Sequence, residues 1–211
     1  MTRIKICGIT NLEDALFCCE AGCDGLGFVF VKESPRYIEP RQAAKIIASL
    51  PPFVTAIGLF ANQEEEEVRR ALKICPVDIL QFHGEEAASY CQEWTKRVIK
   101  AFRIKDRKSL DLMPAYKVNA YLLDAYRKDV LGGTGKTFDW KLAVLAKRYG
   151  RIILAGGLTE ENVGRAILRV RPYGVDVSSG VESMPGKKDR DKVKSFTEKV
   201  KRVDRELENE V

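Results

Sequence analysis

The chain has 211 residues, of which 45% are hydrophobic and 31% charged, and this composition indicates one globular domain that we expect to span residues 1–211. No apolar run approaches the roughly 18 residues of a membrane span, and MTRIKICGIT at the N-terminus lacks the apolar core of a signal peptide, so we expect a cytoplasmic protein without a membrane partner. Much of the net charge of +6 lies near the C-terminus, where basic and acidic residues alternate as on a solvated helix, which argues against a nucleic-acid partner.

Short apolar segments rich in β-branched residues alternate along the chain with longer segments of helical periodicity. The first predicted strand, 3–7, precedes the helical segment NLEDALFCCEAG, and the fifth, 97–104, precedes DRKSLDLM. The sixth strand, 118–124, is followed by a long loop and then by FDWKLAVLAKRYG. The remaining predicted strands, each followed by a helical segment, are 24–30, 53–60, 77–83, 151–156 and 173–179.

Eight strand–helix units predict an α/β fold, a single-domain (β/α)8 TIM barrel, because apolar strands joined by helical crossovers form a parallel sheet covered by helices. An open doubly wound sheet is the alternative, but no GxGxxG fingerprint follows the first strand. Reactive side chains of a barrel lie at the C-terminal ends of its strands. Those ends carry Cys7, Phe30, Phe60, His83, Asp124, Gly156–Gly157 and Ser178–Ser179.

The six cysteines do not form a metal-binding pattern. The cluster FCCEAGC has no second half with zinc spacing, and the single histidine, His83, lies far along the chain. We expect reduced thiols and no metal site, with Cys18, Cys19 and Cys23 serving structural packing. The six are Cys7, Cys18, Cys19, Cys23, Cys75 and Cys91.

Two glycine-rich loops follow the last two predicted strands. AGGLTEEN contains Gly156 and Gly157, and VSSGVE contains Ser179 and Gly180. Loops of this kind expose backbone N–H groups at helix N-termini, which suits a phosphate dianion, and barrels often build a phosphate site at this position. The alternative is that the glycines only make tight turns.

The segment GGTGKT at 132–137 resembles a Walker A loop but does not match it. The Walker pattern needs glycine at position 130, where this chain has Val130. We therefore expect no ATP or GTP binding. The segment is better interpreted as a cover after the sixth strand, with Gly133 supplying further N–H groups to a ligand.

These segments together resemble the phosphoribosylanthranilate isomerase family, single-domain barrel enzymes of tryptophan biosynthesis. The matching segments occur in family order and run from residue 5 to about residue 189. They are KICGIT, GLGFVF with SPRYI, GLF, QFHG, LLDA, GGTGKTFDW, LAGGLTEENV and GVDVSSGVE with PGKKD. The only difference noted is Phe82 in QFHG, where leucine is commoner.

The resemblance implies an Amadori rearrangement of N-(5-phosphoribosyl)anthranilate, the third step of tryptophan synthesis from chorismate, without metal or organic cofactor. It implies that Cys7 is the general base, Asp124 the general acid, and that Arg36 of SPRYI holds the anthranilate carboxylate. The phosphosugar–anthranilate substrate is then the expected small-molecule partner. His83 is expected to line the pocket.

Strand alternation adds one prediction about charge. In RIKIC the period of two places Lys5 and Cys7 on one face, and in GVDVSS it places Asp176 inward on the neighbouring eighth strand. We expect a buried Lys5–Asp176 pair whose lysine favours the Cys7 thiolate. Asp176 is also expected among the substrate-binding residues.

Other functions are compatible with parts of this pattern. A related phosphate-binding barrel enzyme, similar to indole-3-glycerol-phosphate synthase or the histidine-pathway isomerase, is one alternative. A non-catalytic phosphosugar-binding protein is another, although it gives no reason for Cys7 and Asp124 together. The sequence leaves open whether the protein is a monomer or a homodimer.

Overall fold

The computed structural model describes residues 1–125 and 138–209 of the chain. Within these residues, eight parallel strands pair in chain order, and the eighth closes on the first to form a barrel. The strands are β1 (Arg3–Cys7), β2 (Gly25–Val29), β3 (Thr55–Phe60), β4 (Ile79–Phe82), β5 (Arg97–Ile104), β6 (Ala120–Ala125), β7 (Ile152–Leu154) and β8 (Gly174–Val177). The predicted single-domain (β/α)8 barrel is confirmed.

Helices follow the strands in the described residues, with one exception. They are α1 (Leu12–Glu20), α2 (Pro40–Ile47), α3 (Glu65–Ile74), α4 (Ala88–Gln92), α5 (Trp140–Ala146), α6 (Val163–Val170) and α7 (Arg190–Asn209). After β5 the predicted helix in DRKSLDLM is wrong. Two 3₁₀ turns, Arg107–Leu110 and Met113–Ala115, take its place, because Asp106 and Ser109 cap a tight turn and Pro114 cannot continue a helix from the residues before it.

A small antiparallel hairpin after β8 was not predicted. It consists of β9 (Glu182–Met184) and β10 (Lys187–Lys188). Gly186 in its turn has a φ of 80°, a backbone conformation that favours glycine. Lys188 is buried, and its backbone N–H donates to Asp14 of α1 at 2.8 Å, so the hairpin is fixed to the first unit of the barrel.

The core has two layers. Between the sheet and the helices lies a large apolar cluster that includes the fully buried rings of Phe28, Phe60, Phe82 and Phe196. Inside the barrel lies a smaller cluster, made of Ile99, Ala101, Ala120, Leu122, Ile153 and Ala155. This second cluster fills the barrel interior with side chains, as is usual in this fold.

Neither a membrane-spanning helix nor a metal-binding cluster is present in residues 1–125 and 138–209. None of the helices there is long and apolar enough to cross a membrane. In the same residues, no group of three or more histidine, cysteine, aspartate or glutamate side chains is arranged to hold a metal ion. All six cysteines have free thiols.

Candidate active site

A cavity of about 450 Å³ lies at the C-terminal end of the barrel. All the described residues that the sequence predicted for the site line this cavity: Cys7, Arg36, His83, Asp124, Gly156, Gly157, Asp176, Ser179 and Gly180. Gly133 and the rest of GGTGKT lie outside the described residues. Cys7 at the end of β1 and Asp124 near the end of β6 therefore share one cavity.

Two predicted strand-end residues point elsewhere. Phe30 and Phe60 are buried in the layer between sheet and helices, with ring centroids 5.2 Å apart. Their neighbours line the cavity instead, at Val29, Val31, Leu59 and Ala61. The period of two along a strand explains the difference, because it sends adjacent side chains to opposite faces. At these strand ends, only side chains on the inward face of the barrel reach the cavity.

Cys7 is a buried thiol with tight surroundings. Its register partner on β2 is Gly27, where an added Cβ would lie 2.7 Å from the Cys7 sulfur. Burial raises the pKa of Cys7 above 9.0, while the positive charges of Lys5 and Lys188 oppose this shift. The expected support from Lys5 is present, but burial outweighs it, so the resting group is a thiol at neutral pH.

The predicted Lys5–Asp176 pair is confirmed. Lys5 on β1 lies opposite Asp176 on β8 in the register, and Lys5 Nζ lies 2.8 Å from Asp176 Oδ1. Burial disfavours the charge on Lys5, but the Asp176 carboxylate and the neighbouring Cys7 raise the pKa of Lys5 above its ordinary value of 10.5. The pair therefore keeps a positive charge beside the Cys7 sulfur.

His83 lies directly against Asp124. Asp124 Oδ1 accepts a hydrogen bond from the backbone of Ala125 at 2.8 Å, and Asp124 Oδ2 lies 3.2 Å from His83 Nε2. On its other side, His83 Nδ1 lies 3.2 Å from Nε2 of Gln81. The prediction that His83 lines the pocket holds, but the sequence reasoning missed Gln81. Strand alternation gave a signal, because residues two apart on β4 share a face.

Arg36 is held by a carboxylate that sequence reasoning also missed. Arg36 Nε donates to Glu182 Oε1 at 2.9 Å, and Arg36 Nη2 donates to Glu182 Oε2 at 2.6 Å. Lys188 Nζ donates to the same carboxylate at 2.8 Å and to the Cys7 carbonyl at 2.6 Å. Burial disfavours the charge of Glu182, but Arg36 and Lys188 together hold the pKa of Glu182 below its ordinary value of 4.5.

The two glycine loops touch each other at the cavity wall. Gly156 and Gly157 have φ angles of 79° and 66°, conformations that other residues rarely adopt. A Cβ on Gly180 would lie only 1.9 Å from the carbonyl oxygen of Leu158, so a glycine is required where the loops meet. A 3₁₀ turn, Ser179–Val181, begins the second loop. Close backbone approach of this kind forms a concave surface suited to an anion.

Comparison with known proteins gives the family. The sequence profile described as N-(5'phosphoribosyl)anthranilate (PRA) isomerase matches residues 4–199. The chain belongs to this family. A protein of Geobacter sp. (strain M21) named N-(5'-phosphoribosyl)anthranilate isomerase is 56% identical over 203 residues, which is 96% of this chain and 100% of the relative.

Solved structures of family members have the same fold as this chain. Phosphoribosyl anthranilate isomerase from Thermotoga maritima superposes with a TM-score of 0.90 at 44% identity, covering 95% of this chain and 99% of that one. A second solved structure, of a phosphoribosyl anthranilate isomerase in complex with reduced 1-(o-carboxyphenylamino)-1-deoxyribulose 5-phosphate, gives a TM-score of 0.87 at 42% identity, again covering 95% and 99%.

Membership of this family establishes the class of reaction that the chain catalyses. The chain is an isomerase of tryptophan biosynthesis, an intramolecular oxidoreductase of the aldose–ketose type. The predicted activity is confirmed, and the rival barrel enzymes and the non-catalytic binding protein are set aside.

Proposed function

We propose that Asp124 is the general acid and Cys7 the general base of the Amadori rearrangement. The observation that carries this proposal is that both side chains line one cavity from different strands, β6 and β1. A pentose between them can receive a proton at one side and lose one at the other. General acid–base groups need this placement on either side of the reacting atoms.

The first step opens the ribose ring. Asp124 gives a proton to the ring oxygen as the bond from that oxygen to C1′ breaks, and the anthranilate nitrogen supplies electrons to form a C1′=N⁺ iminium ion. The second step removes the C2′ proton. The Cys7 thiolate takes it, and the electrons of the C–H bond form C1′=C2′ while the iminium electrons return to nitrogen. The resulting enol then becomes the ketone 1-(o-carboxyphenylamino)-1-deoxyribulose 5-phosphate by moving the hydroxyl proton to C1′.

The two groups need different amounts of help. A cysteine with the ordinary pKa of about 8.5 is roughly one-tenth thiolate at pH 7.5, a shortfall of about 1.4 kcal/mol. An aspartic acid with a pKa of about 3.9 carries a proton in only about one molecule in 4,000, a shortfall near 5 kcal/mol. Burial makes the thiolate of Cys7 scarcer in the free enzyme, so Lys5 must stabilise it when substrate binds. The acid still needs more support than the base.

Other lining residues hold the ends of the substrate. We assign the anthranilate carboxylate to Arg36, whose Nε and Nη2 are fixed by Glu182, so that the planar guanidinium is preoriented. We assign the phosphate to the loops of Gly156–Gly157 and Ser179–Gly180. Asp176 uses Oδ1 for Lys5, which leaves Oδ2 to accept a sugar hydroxyl.

We further propose that residues 1–211 act as one domain in the cytoplasm, needing no cofactor. The phosphosugar–anthranilate is the partner, and the protein works as a monomer or a homodimer. Sedimentation at micromolar concentration decides between the two states.

The experiment follows the loss of anthranilate fluorescence with freshly made substrate. Cys7→Ser and Asp124→Asn are each expected to lower kcat by about 10²- to 10⁴-fold, the range for loss of a general acid or base. Cys19→Ser on α1 and Asp139→Asn at the start of α5 are the matched controls, because each makes the same change away from the cavity. Full activity of Cys7→Ser or Asp124→Asn refutes the assigned role. A bell-shaped pH profile is expected for the wild type.

A further inference from the structure

We propose that Gln81 is a positioning residue whose side-chain amide sets the direction of the hydrogen bond between His83 and Asp124. Its amide reverses when this His83–Asp124 pair takes up the proton used in ring opening. The inference rests on the acid role proposed for Asp124. Three groups form a chain, with 3.2 Å from Gln81 Nε2 to His83 Nδ1 and 3.2 Å from His83 Nε2 to Asp124 Oδ2.

Gln81 has an unusual environment for an amide. Its residue exposure is 0%, and its Oε1 atom is buried without a hydrogen-bond partner in the described part of the chain. Buried polar groups are nearly always paired, and an exception calls for an explanation. An amide with one satisfied end and one unsatisfied end is suited to reversal, because the unsatisfied oxygen gains a partner when the ring offers it a proton.

The orientation in the structure fixes the histidine tautomer. Gln81 Nε2 can only donate, so His83 Nδ1 accepts and carries no proton. The single proton of a neutral ring then lies on His83 Nε2, from which it is donated to Asp124. This hydrogen bond stabilises the ionised carboxylate. The structure therefore corresponds to the pair after the acid has given its proton away.

One additional proton on the His83–Asp124 pair changes His83 Nδ1 from a hydrogen-bond acceptor to a donor. The proton either makes Asp124 a carboxylic acid that donates to Nε2 of a neutral ring, or it makes His83 an imidazolium ion beside the carboxylate. In both cases Nδ1 carries a proton and needs an acceptor. Gln81 Oε1 becomes that acceptor when the amide turns by 180°. The pair gains this proton from solvent, loses it to the ribose ring oxygen, and the amide returns.

The backbone that carries the imidazole is held by hydrogen bonds, so the amide is the part that turns. The backbone N–H of His83 donates to the carbonyl of Phe60 at 2.8 Å. The carbonyl of Gly84, the residue after His83, accepts a hydrogen bond from the buried Lys100 ammonium at 2.7 Å. Ala101 lies on β5 between β4 and β6, and its small inward side chain leaves the line from His83 to Asp124 open.

Other charged groups face the pair and stay constant in the test. Arg103 on β5 lies opposite Asp124 in the register, on the inward alternation of Ala101. From β1 and β8 the cavity-side groups are Cys7, Lys5 and Asp176. Gln81→Met is neutral and leaves all of these charges unchanged, so its effect reports hydrogen bonding, whereas the effect of Gln81→Glu includes the charge of the added carboxylate.

The test uses the fact that His83 is the chain's one histidine. Protein labelled with ¹⁵N-histidine gives one imidazole, whose nitrogen shifts distinguish the two tautomers. In the wild type at pH 7.5 we expect the proton on Nε2, with a proton appearing on Nδ1 only as the pair titrates. Gln81→Glu presents an acceptor alone, so we expect the proton on Nδ1 at pH 7.5.

Kinetics give a second readout. Gln81→Met can neither donate nor accept, and we expect kcat to fall at least tenfold while KM stays within threefold. Gln81→Glu is expected to move the alkaline limb of kcat to higher pH, because the pair keeps its proton longer. Gln92→Met, on the exposed end of α4, is the matched control and should match the wild type.

Two results overturn the inference. One is a wild-type ring that carries its proton on Nδ1 throughout the pH range, a measurement that needs no variant to fold. The other is an unchanged tautomer and pH profile in both Gln81 variants. If Asp124→Asn is inactive while Gln81→Met matches the wild type, only this inference fails. If Asp124→Asn is fully active, the acid role itself fails.

Discussion

Glu182 and Arg36 form a bidentate ion pair across the cavity rim, with Arg36 Nη2 2.6 Å from Glu182 Oε2. The same carboxylate accepts from Lys188, whose ammonium also donates to the Cys7 carbonyl. One buried network thus fixes both the cation assigned to the substrate carboxylate and the backbone of the proposed base. Removing the charge of Glu182, at the centre of this network, should affect both Arg36 and the backbone of Cys7.

Glu182→Gln is expected to raise KM at least tenfold, with a smaller fall in kcat, because Arg36 loses its orientation. The loss of charged hydrogen bonds should also lower the free energy of unfolding by about 1–3 kcal/mol. Steady-state kinetics and urea unfolding measure the two effects. Glu65→Gln breaks the exposed Arg69–Glu65 pair and serves as control, with an expected change below about 1 kcal/mol. An unchanged KM in Glu182→Gln contradicts the positioning of Arg36.

Glu182 should also make stability depend on pH. Its pKa is lowered in the folded protein, so the unfolded chain binds more protons and the stabilisation is fully present above the ordinary value of 4.5. This stabilisation is lost as the pH falls through the lower folded value. Urea unfolding from pH 7 to pH 3 should show a steeper loss below pH 4.5 in the wild type than in Glu182→Gln. Parallel curves for the wild type and Glu182→Gln would show that the network does not lower the pKa of Glu182.

Lys5→Met is expected to destabilise the protein by about 3–5 kcal/mol, because Asp176 keeps a buried charge without its partner. The substitution should also raise the pKa of Cys7 further, because in the wild type the charge of Lys5 opposes the effect of burial. The ascending limb of the pH profile of kcat/KM then moves to higher pH, because activity needs the thiolate. The double variant Lys5→Met/Asp176→Leu should recover stability and return the limb only in part, because Asp176 raises the pKa of Cys7 by less than Lys5 lowers it. A limb that stays in place in Lys5→Met rules out coupling between Lys5 and the thiol.

Gly180→Ala tests the contact between the two glycine loops. The added Cβ would lie 1.9 Å from the Leu158 carbonyl oxygen, so the loops must separate. We expect inhibition by inorganic phosphate to weaken at least tenfold. Gly164→Ala on α6 is the control, because its Cβ meets the flexible end of Lys199 and adds helix propensity. Equal phosphate inhibition in both variants contradicts a phosphate site at these loops.

Alkylation should distinguish the cysteines. A hydrogen bond from Cys23 lowers the pKa of Cys19, which is partly exposed, so we expect iodoacetamide to modify Cys19 first at pH 7.5. Burial raises the pKa of Cys18 to about 12 and those of Cys75 and Cys91 to about 11, and it also raises the pKa of Cys7. Peptide mapping by mass spectrometry gives the order. Faster modification of Cys7 than of Cys19 would show a thiolate already present in the free enzyme.

Periodicity predicted the barrel because its strands are continuous apolar segments. The bounds of β1 and β5 match the predicted 3–7 and 97–104, while β7 is shorter than 151–156 since its last residues turn into the glycine loop. The missing helix after β5 and the hairpin of β9 and β10 depend on capping and tertiary contacts, which periodicity does not describe. Lys188 illustrates this, because a lysine in a charged tail gives no sign that it will be buried.

The site was predicted where alternation and position on a strand were both used. Lys5 and Asp176 were paired in this way, whereas Phe30 and Phe60 were named from position alone and point outward. Gln81 was missed because an amide inside an apolar strand has no motif of its own. Its role depends on two distances that only the folded barrel supplies.

The ion pair between β1 and β8 has a consequence for protein synthesis. A ribosome makes Lys5 171 residues before Asp176, so a nascent chain that ends after β7 already has Cys7 and Asp124 without the groups that hold Lys5 and the Cys7 carbonyl. Turnover can begin only after β8 and the hairpin that carries Lys188 have left the exit tunnel. Prematurely terminated products should therefore be inert toward the substrate.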